Sequence, residues 1–323
     1  VFGHIGDSYD WHITTWGKTH ITVPLPVIVR GENGRWHLFS SSRVAHGQSY
    51  EGFYIAQGGD YDGKIVERNA AGEEVRPIDL SLTKTAFALL FNSALLMLIV
   101  LGAARWYKRH PVRTSAPGGF VGLMEAAVMM IHDDLIKSCV GKDYKRFAPY
   151  LLTVFFFILI NNLMGLVPIF PGGANVTGNI AITLLLAIAT FIMTNVFGTR
   201  EYWKEIFWPE VPTWLKCPVP MMPAIEFVGI LTKPFALMIR LFANMMAGHA
   251  VILSLTCLVF VTVSMGPVVN GSMTVVSVIF CIFMNLLELL VAFIQAYVFT
   301  MLSAVFIGLA RVEPHHKKEE QEI

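Results

Sequence analysis

Polar and apolar positions divide the chain near residue 80. Before it, short apolar runs alternate with Gly, Pro, Asn and charged residues; after it, apolar runs exceed eighteen residues and recur to about residue 310. Runs of that length mark membrane-spanning helices. The pattern therefore predicts an all-α polytopic membrane protein with a small N-terminal β-rich extramembrane domain. In that domain, residues 20–29 (HITVPLPVIV) and 35–39 (RWHLF) flank the turn 31–34 (GENG) and predict two strands, with Pro24 and Pro26 confining the first to an edge. A second hairpin is expected from 64–67 and 74–78 around 69–72.

About five membrane-crossing helices are predicted: 85–106, 149–167 opened by Pro149, 176–197, 221–263 and 272–310, the last two joined by 264–271 (SMGPVVNG). Asp79 to Lys84 supply capping residues for the first. Arg105, Lys108, Arg109 and Arg113 follow it, and positive residues stay cytoplasmic, which places the N-terminal domain outside. Segment 120–140 mixes Val121, Leu123, Ile131, Leu135 and Ile136 with Glu125, His132, Asp133, Asp134 and Lys137, the pattern of an interfacial amphipathic helix. Residues 171–173 (PGG) make an outer turn, and loop 198–220 carries Arg200, Lys204 and Lys216 beside Tyr202, Trp203, Trp208 and Trp214. A straight helix of about forty residues measures roughly 60 Å, twice the hydrocarbon thickness. The C-terminal hairpin is therefore strongly tilted or broken, with Pro234 and Gly248 permitting bends. The organisation expected is 1–80 extracytoplasmic, 81–311 membrane domain and 312–323 cytoplasmic tail. Because the sequence opens on Val1, an upstream signal segment is an expectation too.

Composition narrows the function. Hydrophobic residues make up 54%, above the roughly 45–50% of soluble domains, and a net charge of +1 points to no nucleic-acid partner. Cys139, Cys217, Cys257 and Cys281 are scattered and absent from the exposed domain, so neither a disulfide there nor a metal spacing is expected. His4, His12, His20, His37 and His46 form no helical i,i+4 pair and predict no metal. Gly17-Lys18-Thr19 imitates the end of a phosphate-binding loop, but the required glycine five positions earlier is His12. No catalytic site or cofactor is expected.

The candidate chemistry lies in 231–250 (LTKPFALMIRLFANMMAGHA), where Arg240 stands inside an apolar run from about 221 to 263. Arginine cannot neutralise in lipid, and a charge at mid-membrane costs about 2.5–3.5 kcal/mol on insertion scales. A functional site is the default reading; snorkelling or a structural ion pair are the alternatives. At 100° per residue Asn244 shares the Arg240 face, Glu226 lies within about 40° of it and roughly 21 Å away, and His249 falls about 180° round. Such a helix suits two separated proton routes. In the last segment Glu288 and Gln295 share a face. Counted from the turn, His249 and Glu288 reach similar depth, so they are expected to pair, as a proton relay or as a structural contact. Asn161, Asn162, Asn175 and Asn179 either line a hydrated half-channel or make interhelical polar contacts.

The stretches 156–168 (FFILINNLMGLVP), 231–249 (LTKPFALMIRLFANMMAGH) and 288–300 (ELLVAFIQAYVFT) closely resemble subunit a of the F-type ATP synthase, in matching order and relative depth. The resemblance covers about residues 79–311. It implies that Arg240 is the essential stator arginine and that Asn244, Gln295 and Glu226 match polar positions along the ion path. It also implies that His249 and Glu288 match a pair whose residue types are exchanged in some bacterial members. The implied partners are a c-subunit ring, a b-subunit peripheral stalk and the lipid bilayer, with H+ favoured over Na+ as the translocated ion and a bacterial inner membrane as the location. Ala236, where some members have serine, and the domain before residue 79 depart from the common pattern. Two rivals from other classes are a secondary transporter binding an anionic solute through Arg240, which predicts internally related halves, and a membrane-anchored scaffold working through residues 1–80.

Overall fold

The computed structural model describes residues 7–16, 19–59, 61–69, 72–110, 117–167, 170–207 and 221–311, with backbone alone at 12–16, 19–21, 46 and 221–223. Expectations resting on His4, Gly17, Lys18, Arg113, Pro168, Trp208, Trp214, Lys216, Cys217 and the tail 312–323 fall outside these residues.

The N-terminal strands are β1 (Asp10–Trp16), β2 (Thr19–Pro24), β3 (Pro26–Arg30), β4 (Trp36–Ser40), β5 (Phe53–Ile55), β6 (Ile65–Arg68), β7 (Glu74–Val75) and β8 (Ile78–Asp79). They form three small antiparallel sheets, β1-β2, β4-β3-β8 and β5-β6-β7. Segment 20–29 is thus two strands in two sheets, divided at Leu25 between the prolines. The edge expectation fails for Pro26, because β3 is the central strand of its sheet. The proline is tolerated there because β8 pairs only with Val29 and Arg30, and Pro26 offers its carbonyl alone, to the Leu82 N–H at 3.1 Å. Val27 and Val29 alternate inward onto Tyr9, Phe39, Val44, Phe53 and Ile65. A second small core, Trp11 with Ala88, Ala174 and Val176, seats this domain on the first helix. There the Trp11 ring meets Phe87 and Phe170 edge-on at 5.8 and 5.3 Å.

The helical part comprises α1 (Lys84–Arg109), α2 (Gly119–Met129), a π-helical run (Met130–Ile136), α3 (Lys137–Val140), α4 (Tyr144–Leu166), α5 (Ile180–Val196), α6 (Arg200–Phe207), α7 (Met221–Thr262) and α8 (Pro267–Leu309). Thr83 caps α1 by accepting the Ala86 N–H at 3.3 Å. Among the described residues, four helical stretches are long and apolar enough to cross a membrane, and α5 with α6, bent by 100°, makes a fifth if counted as one span. The amphipathic segment 120–140 runs on helically into α4 through the π-helical run and a short 3-10 turn, Gly141–Asp143. Pro149 sits inside α4 rather than at its start. α5 begins at Ile180, later than expected, because the Asn179 side chain caps it by accepting the Ala181 N–H at 3.0 Å.

α7 and α8 each run unbroken, for 42 and 43 residues, or about 63–65 Å at 1.5 Å per residue. Gly266, with φ 105°, makes the turn between them, and Pro267 opens α8 without losing a helical bond. α8 lies against both α7 and α4. Its inner face is built from small residues (Ala292, Ala296, Ser303, Ala304) that admit close helix approach. The main core joins Ile131, Leu135, Phe147, Leu151, Phe155 and Ile158 to Leu237 and Leu241 of α7 and Phe299 and Ile307 of α8. At the end of α8, Arg311 donates to Asp143 from Nε at 2.8 Å and to the Phe197 carbonyl at 3.1 Å. Gly308 packs so closely that a Cβ there would stand 2.1 Å from the Cys139 carbonyl oxygen. Overpacking of this kind costs about 1–3 kcal/mol. Gly308→Ala is expected to lower the thermal unfolding temperature of the purified protein, an effect absent from Gly229→Ala, where a Cβ meets nothing within 4 Å.

Candidate functional site

α7 has two flanks of opposite character. Leu237, Met238, Leu241 and Met245 turn into the core, whereas Ala236, Arg240, Ala243, Asn244 and Ala247 are exposed. Arg240 makes no hydrogen bond or ion pair among the described residues. Its guanidinium is carried on the outside of an apolar hairpin, between alanines that keep the flank low.

His249 lies on the other side of the same helix. Its Nδ1 is 2.8 Å from Glu288 Oε1 and 3.0 Å from the Met245 carbonyl, and its Nε2 is 3.3 Å from the Gly165 carbonyl. Both ring nitrogens therefore face oxygen acceptors, an arrangement that a doubly protonated imidazolium satisfies. The Glu288 side chain is 3% exposed, and its Oε2 has no hydrogen-bond donor among the described residues. Gly248 makes this approach feasible: a Cβ at that position would lie 2.7 Å from Glu288 Oε1. The antiparallel hairpin thus joins two groups 39 residues apart, as their depths from the turn predict.

The other expected site residues divide. Gln295 is buried on the Glu288 face of α8, and Glu226 is exposed near the start of α7. Asn175 donates to the same Met245 carbonyl that faces His249, at 3.4 Å, which brings it into the His249–Glu288 cluster. Asn162 donates to the Ala292 carbonyl of α8 at 3.2 Å and accepts from the Thr177 hydroxyl at 2.7 Å. Asn161 points the opposite way, accepting from Asn92 of α1 at 3.0 Å, and Asn179 is a helix cap. All four asparagines make hydrogen bonds within the chain, and Asn161, Asn162 and Asn175 use them to join separate elements. Two polar residues escaped the sequence reading. Asn92, the amide inside the first span, signalled itself only by composition; Lys233 stands seven residues before Arg240, a spacing that puts it on the same flank. No group of three metal-ligating side chains occurs among the described residues.

A polytopic bundle with a long helical hairpin, a guanidinium without a partner among the described residues on one flank and a buried His–Glu pair on the other has the architecture of an ion-translocating membrane protein. The ATP synthase A chain family matches residues 89–308, and a domain of unknown function (DUF8433) matches residues 1–81. The chain belongs to the ATP synthase A chain family. It is 44% identical over 254 residues to ATP synthase subunit a of Chloroherpeton thalassium, covering 76% of this chain and 71% of that one. Subunit a of Chlorobium phaeobacteroides (strain DSM 266) is 43% identical over 271 residues, 80% of this chain and 75% of the relative. That of Myxococcus xanthus is 41% identical over 245 residues, 74% and 76%. The protein is accordingly a multi-pass, proton-translocating membrane subunit of a bacterial ATP synthase and not its catalytic subunit.

Proposed function

We propose that this chain is the stator of the rotary motor and offers the carboxylates of a c-subunit ring two offset half-channels separated by Arg240. The observation that carries the reading is Arg240, a permanent cation exposed on the flank of a 42-residue apolar helix with no anionic partner among the described residues. A membrane charge needs such a partner, and a ring carboxylate supplies it from outside the chain. Ala236, Ala243 and Ala247 leave room for a ring helix to come close.

Protons enter from outside past His249 and Glu288, with Asn162 and Asn175 beside that half-channel, and neutralise a ring carboxylate. The neutral acid crosses lipid without a charge penalty. After nearly a full rotation it discharges into the inner half-channel towards Glu226, with Asn244 and Gln295 beside the crossing point. Arg240 draws in the ionised carboxylate and repels a proton taking the direct route. Arg240 and His249 occupy opposite sides of α7, which keeps the routes apart. The imidazole on the inlet suits protons better than Na+. Helices about 63 Å long in a hydrocarbon layer of about 30 Å lie steeply inclined, presenting a long flank to the ring. The basic Lys108 and Arg109 at the end of α1 support a cytoplasmic position for that end, with residues 1–80 outside and 312–323 inside. A b-subunit stalk anchors the assembly in the bacterial inner membrane.

Ala243→Cys, on the Arg240 flank, is expected to cross-link to a c subunit in isolated membranes lacking other reactive cysteines. Ala296→Cys, fully buried in α8, is not. Equal cross-linking at both positions, or none at Ala243, overturns the reading.

A further inference from the structure

One membrane cation remains unused by that reading. Lys233 precedes Arg240 by seven residues, and Glu226 precedes Lys233 by seven more. Steps of seven advance about 10.5 Å and turn the helix by only about 20°, so the three ionisable groups run along one flank of α7. Lys233 has no carboxylate within ion-pair distance among the described residues, and its ammonium stands 5.7 Å from the centre of the Phe306 ring.

Lys233 also borders a partly open cavity between α5, α6, α7 and α8, lined by Thr190, Thr194, Asn195, Tyr202 and Phe306. The space open to the centre of a water molecule is ≈ 20 Å³. One water needs about 10–15 Å³ together with two to four polar partners. The cavity therefore suits one or two waters and is too small for an organic anion or a phosphate. From Thr190 a hydroxyl chain runs inward, 3.0 Å to Tyr150 and 3.2 Å to Ser303. Among the described residues the ionisable groups around it are few. α5 and the cavity-lining end of α8 contribute none; α6 turns Tyr202 inward and carries Arg200, Glu201, Lys204 and Glu205 around the rest of its surface; α7 itself brings Glu226 and Arg240.

We infer that Lys233 is a positioning charge of the inner half-channel: it keeps a hydrated chamber between Arg240 and Glu226 electropositive, so that a released proton does not reside there and moves on to the cytoplasmic side. This rests on the half-channel reading above. A fixed positive charge about 10 Å away disfavours an additional proton by roughly tenfold at an effective dielectric of about 20. It does so without closing the path, because the proton passes through neutral water and hydroxyl groups.

The test uses ATP synthesis by inverted membrane vesicles carrying the whole complex, whose medium corresponds to the cytoplasmic side, measured against medium pH. Lys233→Met keeps the packing stem and loses the charge. It is expected to slow synthesis several-fold near neutrality and to move the profile to higher pH by about one unit, the equivalent of roughly tenfold. Lys233→Arg is expected to restore both rate and profile. Should Lys233→Met fail to assemble, Lys233→Gln serves, with the same expected shift. An unchanged profile, or the same shift produced by Phe306→Leu with the lysine intact, overturns the inference, since packing and not charge would then be responsible. Arg240→Ala run alongside separates the two levels. If it still synthesises ATP, the half-channel reading falls. If it is inactive while Lys233→Met keeps the wild-type profile, only the role of Lys233 falls.

Discussion

Arg240→Ala is expected to abolish proton-coupled ATP synthesis and to leave the complex assembled. The two halves of that expectation come from one observation, the position of the side chain. Arg240 is exposed on α7, whereas Leu237, Leu241 and Met245 do the packing, so truncating it opens no core cavity. It also removes a charge that costs about 2.5–3.5 kcal/mol to hold at mid-membrane, so insertion does not suffer. On the stator reading proposed above, the variant loses the attraction for an ionised ring carboxylate and the barrier to a proton leak. Vesicles carrying the variant are expected to leak protons or to hold a gradient without making ATP, while the purified complex keeps its subunits and its unfolding temperature. Arg240→Lys retains a charge but lacks the planar fork and can deprotonate when desolvated, and it is expected to fall well short of wild type. Coupled synthesis by the alanine variant contradicts the assignment; loss of assembly would make Arg240 a structural residue instead.

His249→Leu is expected to lose both stability and pumping, the opposite signature. Glu288 is almost fully enclosed, and His249 is the ionisable partner within 2.8 Å of it. Removing one member of a buried charge pair typically costs about 3–5 kcal/mol, because the other is left without compensation. Unfolding of the purified complex followed by temperature, together with ATP-driven acidification of vesicles, measures the two losses. Exchanging the residues, His249→Glu with Glu288→His, keeps one acid and one imidazole in the space that Gly248 leaves open. The exchanged pair is expected to recover more activity than either single change. Wild-type stability and pumping in His249→Leu would show that the pair carries neither load.

Much of this was legible in the sequence, for reasons that differ by residue. Arg240 announces itself because lipid tolerates no unexplained charge, whatever the surrounding fold. The meeting of His249 with Glu288 followed from counting, since 1.5 Å per residue and an antiparallel turn fix relative depth. Segment 20–29 misled because two prolines with one residue between them can bend an edge strand or divide it between sheets, and only the pairing of Val29 and Arg30 with β8 decides which. Asn161 and Asn162 are adjacent and chemically identical, yet one reaches Asn92, 69 residues away, and the other the Ala292 carbonyl, 130 residues away.

By itself, then, the order of residues determined the membrane helices, the cation inside one of them and the depth of its titratable neighbours, because local periodicity and the cost of charge in hydrocarbon act within one segment. Tertiary structure alone decided which polar groups satisfy one another, that Gly248 and Gly308 admit close contact, and that Lys233 borders a water-sized chamber. Those outcomes depend on how several helices come together around a common space, and no window along the chain contains the atoms on all its sides.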